Sequence, residues 1–244
     1  MVDPINTGDV SGASEPSQPS GTIDQNLINQ LLMFILGSKS DANEDTLKSE
    51  LTQLESSLPP EQAAQLKEML ADLPTDTGSK NYDSELTEAF TKITAFLAEN
   101  VPNGLSPQAK QSLDSLMGQM PTDTSSKTYP EEVAEWSAHV SALIASSLPG
   151  VLSSSAQQQL KELLNEQPTD SSDKSYAIDV DKWLSTVQVF LAENVPSSLS
   201  SNDKAELDAQ LKKIQGINPN DKNAAEEMQE ASAQLEQMLS GMFF

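Results

Sequence analysis

Pro74-Thr-Asp-Thr-Gly-Ser-Lys-Asn-Tyr82 decides the fold, because the phrase returns as Pro121-Thr-Asp-Thr-Ser-Ser-Lys-Thr-Tyr129 and as Pro168-Thr-Asp-Ser-Ser-Asp-Lys-Ser-Tyr176. The steps are 121 − 74 = 47 and 168 − 121 = 47 residues. A constant step without insertion marks one joint of a supersecondary unit used again and again, and periods of about 20 to 50 residues belong to stacked repeat architectures.

Overlaying the chain on itself at this step exposes the helices between the joints. Leu66, Leu113, Leu160 and Leu207 fall in one register, and Leu70, Met117, Leu164 and Leu211 in another four residues on, with Leu58, Leu105, Leu152 and Leu199 ahead of them. These spacings place the side chains on one helical stripe, the pattern of a helix packed on one side. Pro60, Ser106-Pro107, Ser153 and Ser200 supply N-terminal signals. The preceding helix of each unit carries Leu86, Val133 and Val180, then Ile93, Val140 and Val187, then Leu97, Ile144 and Leu191. Pro102, Pro149 and Pro196 stop it and turn the chain into the second helix.

The expected fold is therefore all-α: an array of helical hairpins with a 47-residue repeat and about ten helices, either a short α-solenoid or a compact helical bundle. Within a single repeat domain, 22–244, a leading helix takes 22–37, hairpins take 43–74, 82–120, 129–167 and 176–215, and a closing helix takes 223–244. Asn218-Pro-Asn-Asp221 replaces the joint before that last helix, whose start at Asn223 is 176 + 47. Thr22 or Asp24 would cap the leading helix and Gly37 would end it.

Residues 1–21 are rich in Ser, Gly, Pro, Asp and Thr and nearly free of apolar side chains, a composition that cannot offset the entropy of ordering, so a disordered leader is expected there. This stretch resembles the uncleaved secretion leaders of bacterial proteins exported by type III systems. The resemblance implies a leaderless secreted effector, or a component of a secretion apparatus, and with it a part in virulence.

Charge narrows the partners. The formal net charge is −23, and all 14 basic residues are Lys. Phosphate backbones are gripped by clustered cations, with Arg favoured for its fork, so nucleic acid is excluded as a partner. Without Cys there is no disulfide, thiolate metal site or Cys nucleophile. The longest apolar run, Leu31 to Leu36, is too short to span a bilayer, so stable membrane insertion is not expected. The chain is expected to be cytoplasmic, or secreted without a cleaved hydrophobic signal peptide.

The joints align Asp76, Lys80 and Tyr82 with Asp123, Lys127 and Tyr129 and with Asp170, Lys174 and Tyr176. Such a ladder could grip a partner or a cation, or it could serve the chain itself, with Thr and Asp folding onto the loop backbone and Tyr anchoring the next helix. Trp136 and Trp183 share the step, with Ala89 at the equivalent place. His139 is the only histidine, so neither a triad nor a His-based metal site can be built. No catalytic, cofactor or metal residues are expected, and the chain is read as no enzyme. The ends remain. Met238, Leu239, Met242, Phe243 and Phe244 crowd more apolar surface into seven residues than one stripe hides, and they are the candidate partner-binding residues, unless they tuck back under the array. The function that follows is a non-enzymatic protein-interaction module, an adaptor or scaffold, whose partner is another protein, a basic one or a second copy of itself.

Overall fold

Phe34 and Phe90 meet with ring centroids 4.6 Å apart, at the point where the leading helix enters the rest of the molecule. The structure, a computed structural model, describes residues 25–36, 41–195 and 199–244. The proposed leader, the caps Thr22 and Asp24, and Gly37 lie outside the described residues. Within them the chain is all-helical, with ten helices and no strand.

The order is α1 (Gln25–Leu36), α2 (Asp41–Glu55), α3 (Pro60–Ala71), α4 (Tyr82–Asn100), α5 (Pro107–Met117), α6 (Tyr129–Ser147), α7 (Ser154–Leu164), α8 (Tyr176–Asn194), α9 (Ser201–Gln215) and α10 (Ala224–Phe243). Long helices α4, α6 and α8 each start on a joint tyrosine and run 19 residues. They end at Val101, Leu148 and Val195, whose extended ψ angles of 124°, 132° and 136° are what a following proline imposes on its neighbour. The short helices open on serine caps. Ser106 Oγ accepts the Ala109 amide, Ser153 Oγ that of Ala156, and Ser200 forms a full capping box with Asp203.

The freed carbonyls at the ends of the long helices are claimed from the next helix. Lys110 Nζ donates to the Glu99 carbonyl at 2.6 Å, Gln157 Nε2 to Ser146 at 2.9 Å and Lys204 Nζ to Glu193 at 2.7 Å. Donor and acceptor positions each advance by the 47-residue step, so one solution to the orphan carbonyls of a helix end is used three times.

The hairpins do not string out as an open solenoid. Helix α1 packs against α2, α4, α6, α8 and α10, and from Leu31 to Phe34 its side chains have no exposed surface. A helix apolar around most of its circumference belongs in an interior. The architecture is a compact bundle in which the long helices surround α1 and the short ones pack outside, each short helix α5, α7 and α9 leaning on the long helix that follows it. The far end of α10 closes the arrangement: Gln30 Nε2 donates to the Phe243 carbonyl, and Asn43 Nδ2 to Ser240 Oγ at 3.0 Å.

Two boundaries differ from expectation. Helix α2 starts at Asp41 rather than 43. Helix α10 starts at Ala224, 48 residues after Tyr176, and α9 before it ends at Gln215, about a turn past the place 47 residues after the end of α7 at Leu164.

Candidate partner-binding site

Each joint is a small hydrogen-bonded device. Asp76 Oδ1 accepts the Gly78 amide, Asp123 Oδ1 the Ser125 amide and Asp170 Oδ1 the Ser172 amide, all at 3.1 Å. The same residues give their backbone carbonyls to Ser79, Ser126 and Asp173, which in turn accept the amides of Tyr82, Tyr129 and Tyr176. Asn218 repeats the device in the altered fourth joint by accepting the Asn220 amide at 3.1 Å. These are Asx turns, in which a short polar side chain replaces a missing backbone partner. Hydrogen bonds from Ser125, side chain then backbone, hold the Asp123 carboxyl below its usual pKa.

The tyrosines bind the joints to the bundle. Tyr82 OH donates to Glu44 on α2 at 3.1 Å, Tyr129 OH to Glu88 on α4 at 3.1 Å, and Tyr176 OH to Glu135 on α6 at 2.9 Å. Burial, then the Glu88 charge, pushes the Tyr129 hydroxyl up to about 12. Tyr176 is raised further by burial and by its bond to Glu135. The glutamates were not singled out from the sequence, although Glu88 and Glu135 are themselves 47 apart and the overlay would have found them.

The ladder of matched residues is thus divided. The aspartates and tyrosines serve the chain's own architecture, whereas Lys80, Lys127 and Lys174 are exposed, and among the described residues their side chains make no hydrogen bond or ion pair. His139 is half-buried. Its Nε2 lies 2.6 Å from Gln167 Oε1, and its ring centroid 5.9 Å from that of Trp183. Among the described residues no group of three His, Asp or Glu could hold a metal ion.

Trp136 and Trp183 are buried at 6% exposure, and their ring N–H groups donate to the Leu116 and Leu163 carbonyls at 2.7 and 2.8 Å. Each indole ties a long helix to the end of the short helix before it. Beside these contacts run grooves on the outer surface. The one next to Trp136, about 400 Å³, is bordered by Leu116, Pro121, Glu132 and Glu135. Another of about 320 Å³ is bordered by Met69, Pro74, Glu85 and Glu88, each 47 residues earlier. A third, about 330 Å³, lies between Ile217, Glu227 and Glu230 at the last joint. Paired glutamates border all three, and in the last they stand beside Lys212 and Lys213.

A smaller cavity of about 160 Å³ opens between the end of α1 and helices α6, α8 and α10, with Leu36, Ser137, Asp181, Gln188 and Ser232 in its wall. Asp181 is exposed as a residue, yet burial of its carboxyl among the surrounding atoms and repulsion from Glu131 push its pKa up to about 6.

The C-terminal candidates separate by burial. Leu239 is fully buried, Met238, Met242 and Phe243 are half-buried against the core, and Phe244 is 38% exposed. No protein-family model, curated protein or solved structure matches the chain. Among the described residues, no helix is long and apolar enough to cross a membrane.

Proposed function

We propose that the chain is a non-enzymatic protein-interaction module, an adaptor or scaffold that presents its outer grooves to a basic protein partner. The observation that carries this reading is the recurrence of one groove at the first two joints, with half-buried Met69 or Leu116 as floor and the pairs Glu85/Glu88 and Glu132/Glu135 as rim, and a related groove at the last joint where Glu227 and Glu230 stand beside Lys212 and Lys213. An apolar floor supplies contact area, and a carboxylate rim steers a cationic partner and fixes its orientation. Structural need accounts for Glu88 and Glu135, which accept tyrosine hydroxyls, but not for Glu85 or Glu227, which make no side-chain hydrogen bond. Those two are the groups free to meet a partner.

The test is affinity capture from the native host with the full chain and with the double charge reversal Glu85→Lys, Glu227→Lys, which leaves the Tyr–Glu bonds in place. The reading expects a partner retained at low salt, released as salt rises, and lost by the variant while its melting temperature stays within a few degrees of the parent's. A partner captured equally well by both proteins, or none captured by either, overturns it.

A further inference from the structure

The structure fills the same slot with an indole at two joints and leaves it open at a third. At the two filled slots, the end carbonyl of the short helix accepts from an indole as well as from the backbone: Leu116 accepts the Gln119 amide at 3.0 Å and the Trp136 indole, and Leu163 accepts the Glu166 amide at 3.1 Å and the Trp183 indole. One step earlier the corresponding carbonyl is Met69 and the corresponding side chain is Ala89. Neither donor is there. The Asp72 amide turns to the Glu68 carbonyl instead, and no side chain donates to Met69.

Nothing else in the chain takes up the slot. The neighbouring Phe90 points inward, where it is fully buried against Phe34. The groove of about 320 Å³ bordered by Met69, Pro74 and Ala89 runs beside this position, as its counterpart runs beside Trp136, but here its wall carries a methyl group in place of the indole. At the last joint the equivalent small residue is Ala231, counted with the one-residue shift, but there the extra turn of α9 brings Ile214 and Ile217 into the interior and Ala231 is fully buried. Ala89 is half-buried. Among the described residues it is the open member of the set.

We propose that this groove receives a tryptophan side chain from a partner protein, with the indole N–H donating to the Met69 carbonyl as Trp136 and Trp183 do to theirs. The chemistry on its rim selects what flanks that tryptophan. Lys92 is paired with Glu88 at 2.6 Å, and Glu88 also accepts Tyr129 OH, whereas the Asp72 and Glu85 carboxylates have no partner. Two free carboxylates beside the position that carries an indole at the next two joints call for a basic residue next to the tryptophan. Buried aromatic anchors ringed by charge are the usual carriers of affinity at protein interfaces. The inference rests on the interaction-module reading and assigns its partner a chemical signature.

The probe is the capped peptide Lys-Trp-Lys, titrated into the isotope-labelled full chain and followed by backbone amide shifts. Saturable shifts centred on Met69, Asp72 and Ala89 are expected, with dissociation constants on the order of 1 mM for so small a ligand. Replacing the tryptophan by 1-methyltryptophan, which lacks the N–H, should weaken binding up to about tenfold, the share of one neutral hydrogen bond. Ala89→Trp should abolish binding by supplying the indole from within, and should keep or raise the melting temperature. If that variant fails to fold, Glu85→Lys serves in its place and should weaken the peptide without lowering the melting temperature. The proposal is overturned if the shifts do not saturate, if Lys-Leu-Lys binds equally well, or if binding survives in the folded variant. Should the peptide fail while the host partner is still lost on double charge reversal, the indole site falls and the interaction module stands.

Discussion

Replacing Trp136 by alanine tests the packing between hairpins at its most concentrated point. The side chain is 6% exposed, and an aromatic of this kind removes about 150 to 250 Å² from water when it is buried. At about 25 cal/mol per Å² that area is worth roughly 4 to 6 kcal/mol, an upper figure because real unfolded chains already bury some of it. The indole bond to Leu116 adds about 1 kcal/mol, and its loss leaves the carbonyl with the Gln119 amide, so no acceptor is stranded. Partial collapse of the groove offsets part of the total. A loss of about 3 to 5 kcal/mol is therefore expected for Trp136→Ala, the range seen when large aromatics are truncated in cores. Trp136→Phe keeps most of the ring and should cost about 1 to 2 kcal/mol, chiefly the lost N–H. Urea denaturation followed by far-ultraviolet circular dichroism measures both, with the slope showing whether the transition remains two-state. A cost within about 0.5 kcal/mol for the alanine variant would put the indole on the surface energetically and refute the view that it joins two hairpins.

Other outcomes follow from the same contacts. Tyr129 titrates higher in the folded chain than in the unfolded one, so its contribution is complete below about pH 10 and is lost as pH rises towards about 12; a Tyr129→Phe, Tyr176→Phe variant should lose about 1 to 2 kcal/mol at neutral pH and show a flatter alkaline limb than the parent in melts across that window. Asp181 is also raised, but as an acid that the fold disfavours in its ionised form, so its contribution is present below the unfolded pKa of about 3.9 and is lost as pH rises through about 6. Asp181→Asn should accordingly raise the melting temperature at pH 7 and give no gain at pH 3.5, with an equal gain at both pH values counting against the assignment. Removing Met242 to Phe244 takes away two half-buried side chains and the Gln30 bond to Phe243, and should lower stability by about 2 to 3 kcal/mol without changing self-association measured by analytical ultracentrifugation. Unchanged stability with lost association would return that end to a partner.

The parts of this fold that could be read in advance are those whose cause is local. A serine three residues before an amide it accepts, a proline that forces extended backbone on its neighbour, and an aspartate folded onto the loop two residues ahead all act within one turn of chain. They recur wherever the same residues recur, which is why the caps Ser106, Ser153 and Ser200 and the turns at Asp76, Asp123 and Asp170 appear where the spacing puts them. The glutamates that receive the tyrosines lie 41 residues back, 129 − 88 and 176 − 135, on a different hairpin. The 47-residue step relates Glu88 to Glu135, but it relates other carboxylates among the 37 acidic residues as well and marks none as a tyrosine's partner, and the first tyrosine breaks the rule by reaching Glu44, 38 residues back. The joint lysines mislead in the opposite sense. They match at every step, yet in the structure they face solvent, since a long charged side chain at a loop tip is well hydrated and has little to gain from ordering.

Helix α1 leads the chain and sits at the centre of the bundle. Its apolar residues, Leu27, Ile28, Leu31 to Leu36, cover more of the helix than a one-sided stripe, and at the start of a repeat array such a helix reads as an end piece with surplus surface. End and centre make different demands. A cap needs a polar outer face, and α1 has none between Leu31 and Leu36; a central helix needs partners on all sides, and the long helices α4, α6, α8 and α10 provide them. The same logic decides the other terminus. With α1 inside, the ring of long helices has to close, and the element that closes it is α10, whose last turn reaches both α1 and α2 through Phe243 and Ser240. Apolar density at the two chain ends is therefore one requirement met twice, a core helix and the helix that seals it. On the outer surface the position of Ala89 differs from those of Trp136 and Trp183 by the absence of one indole.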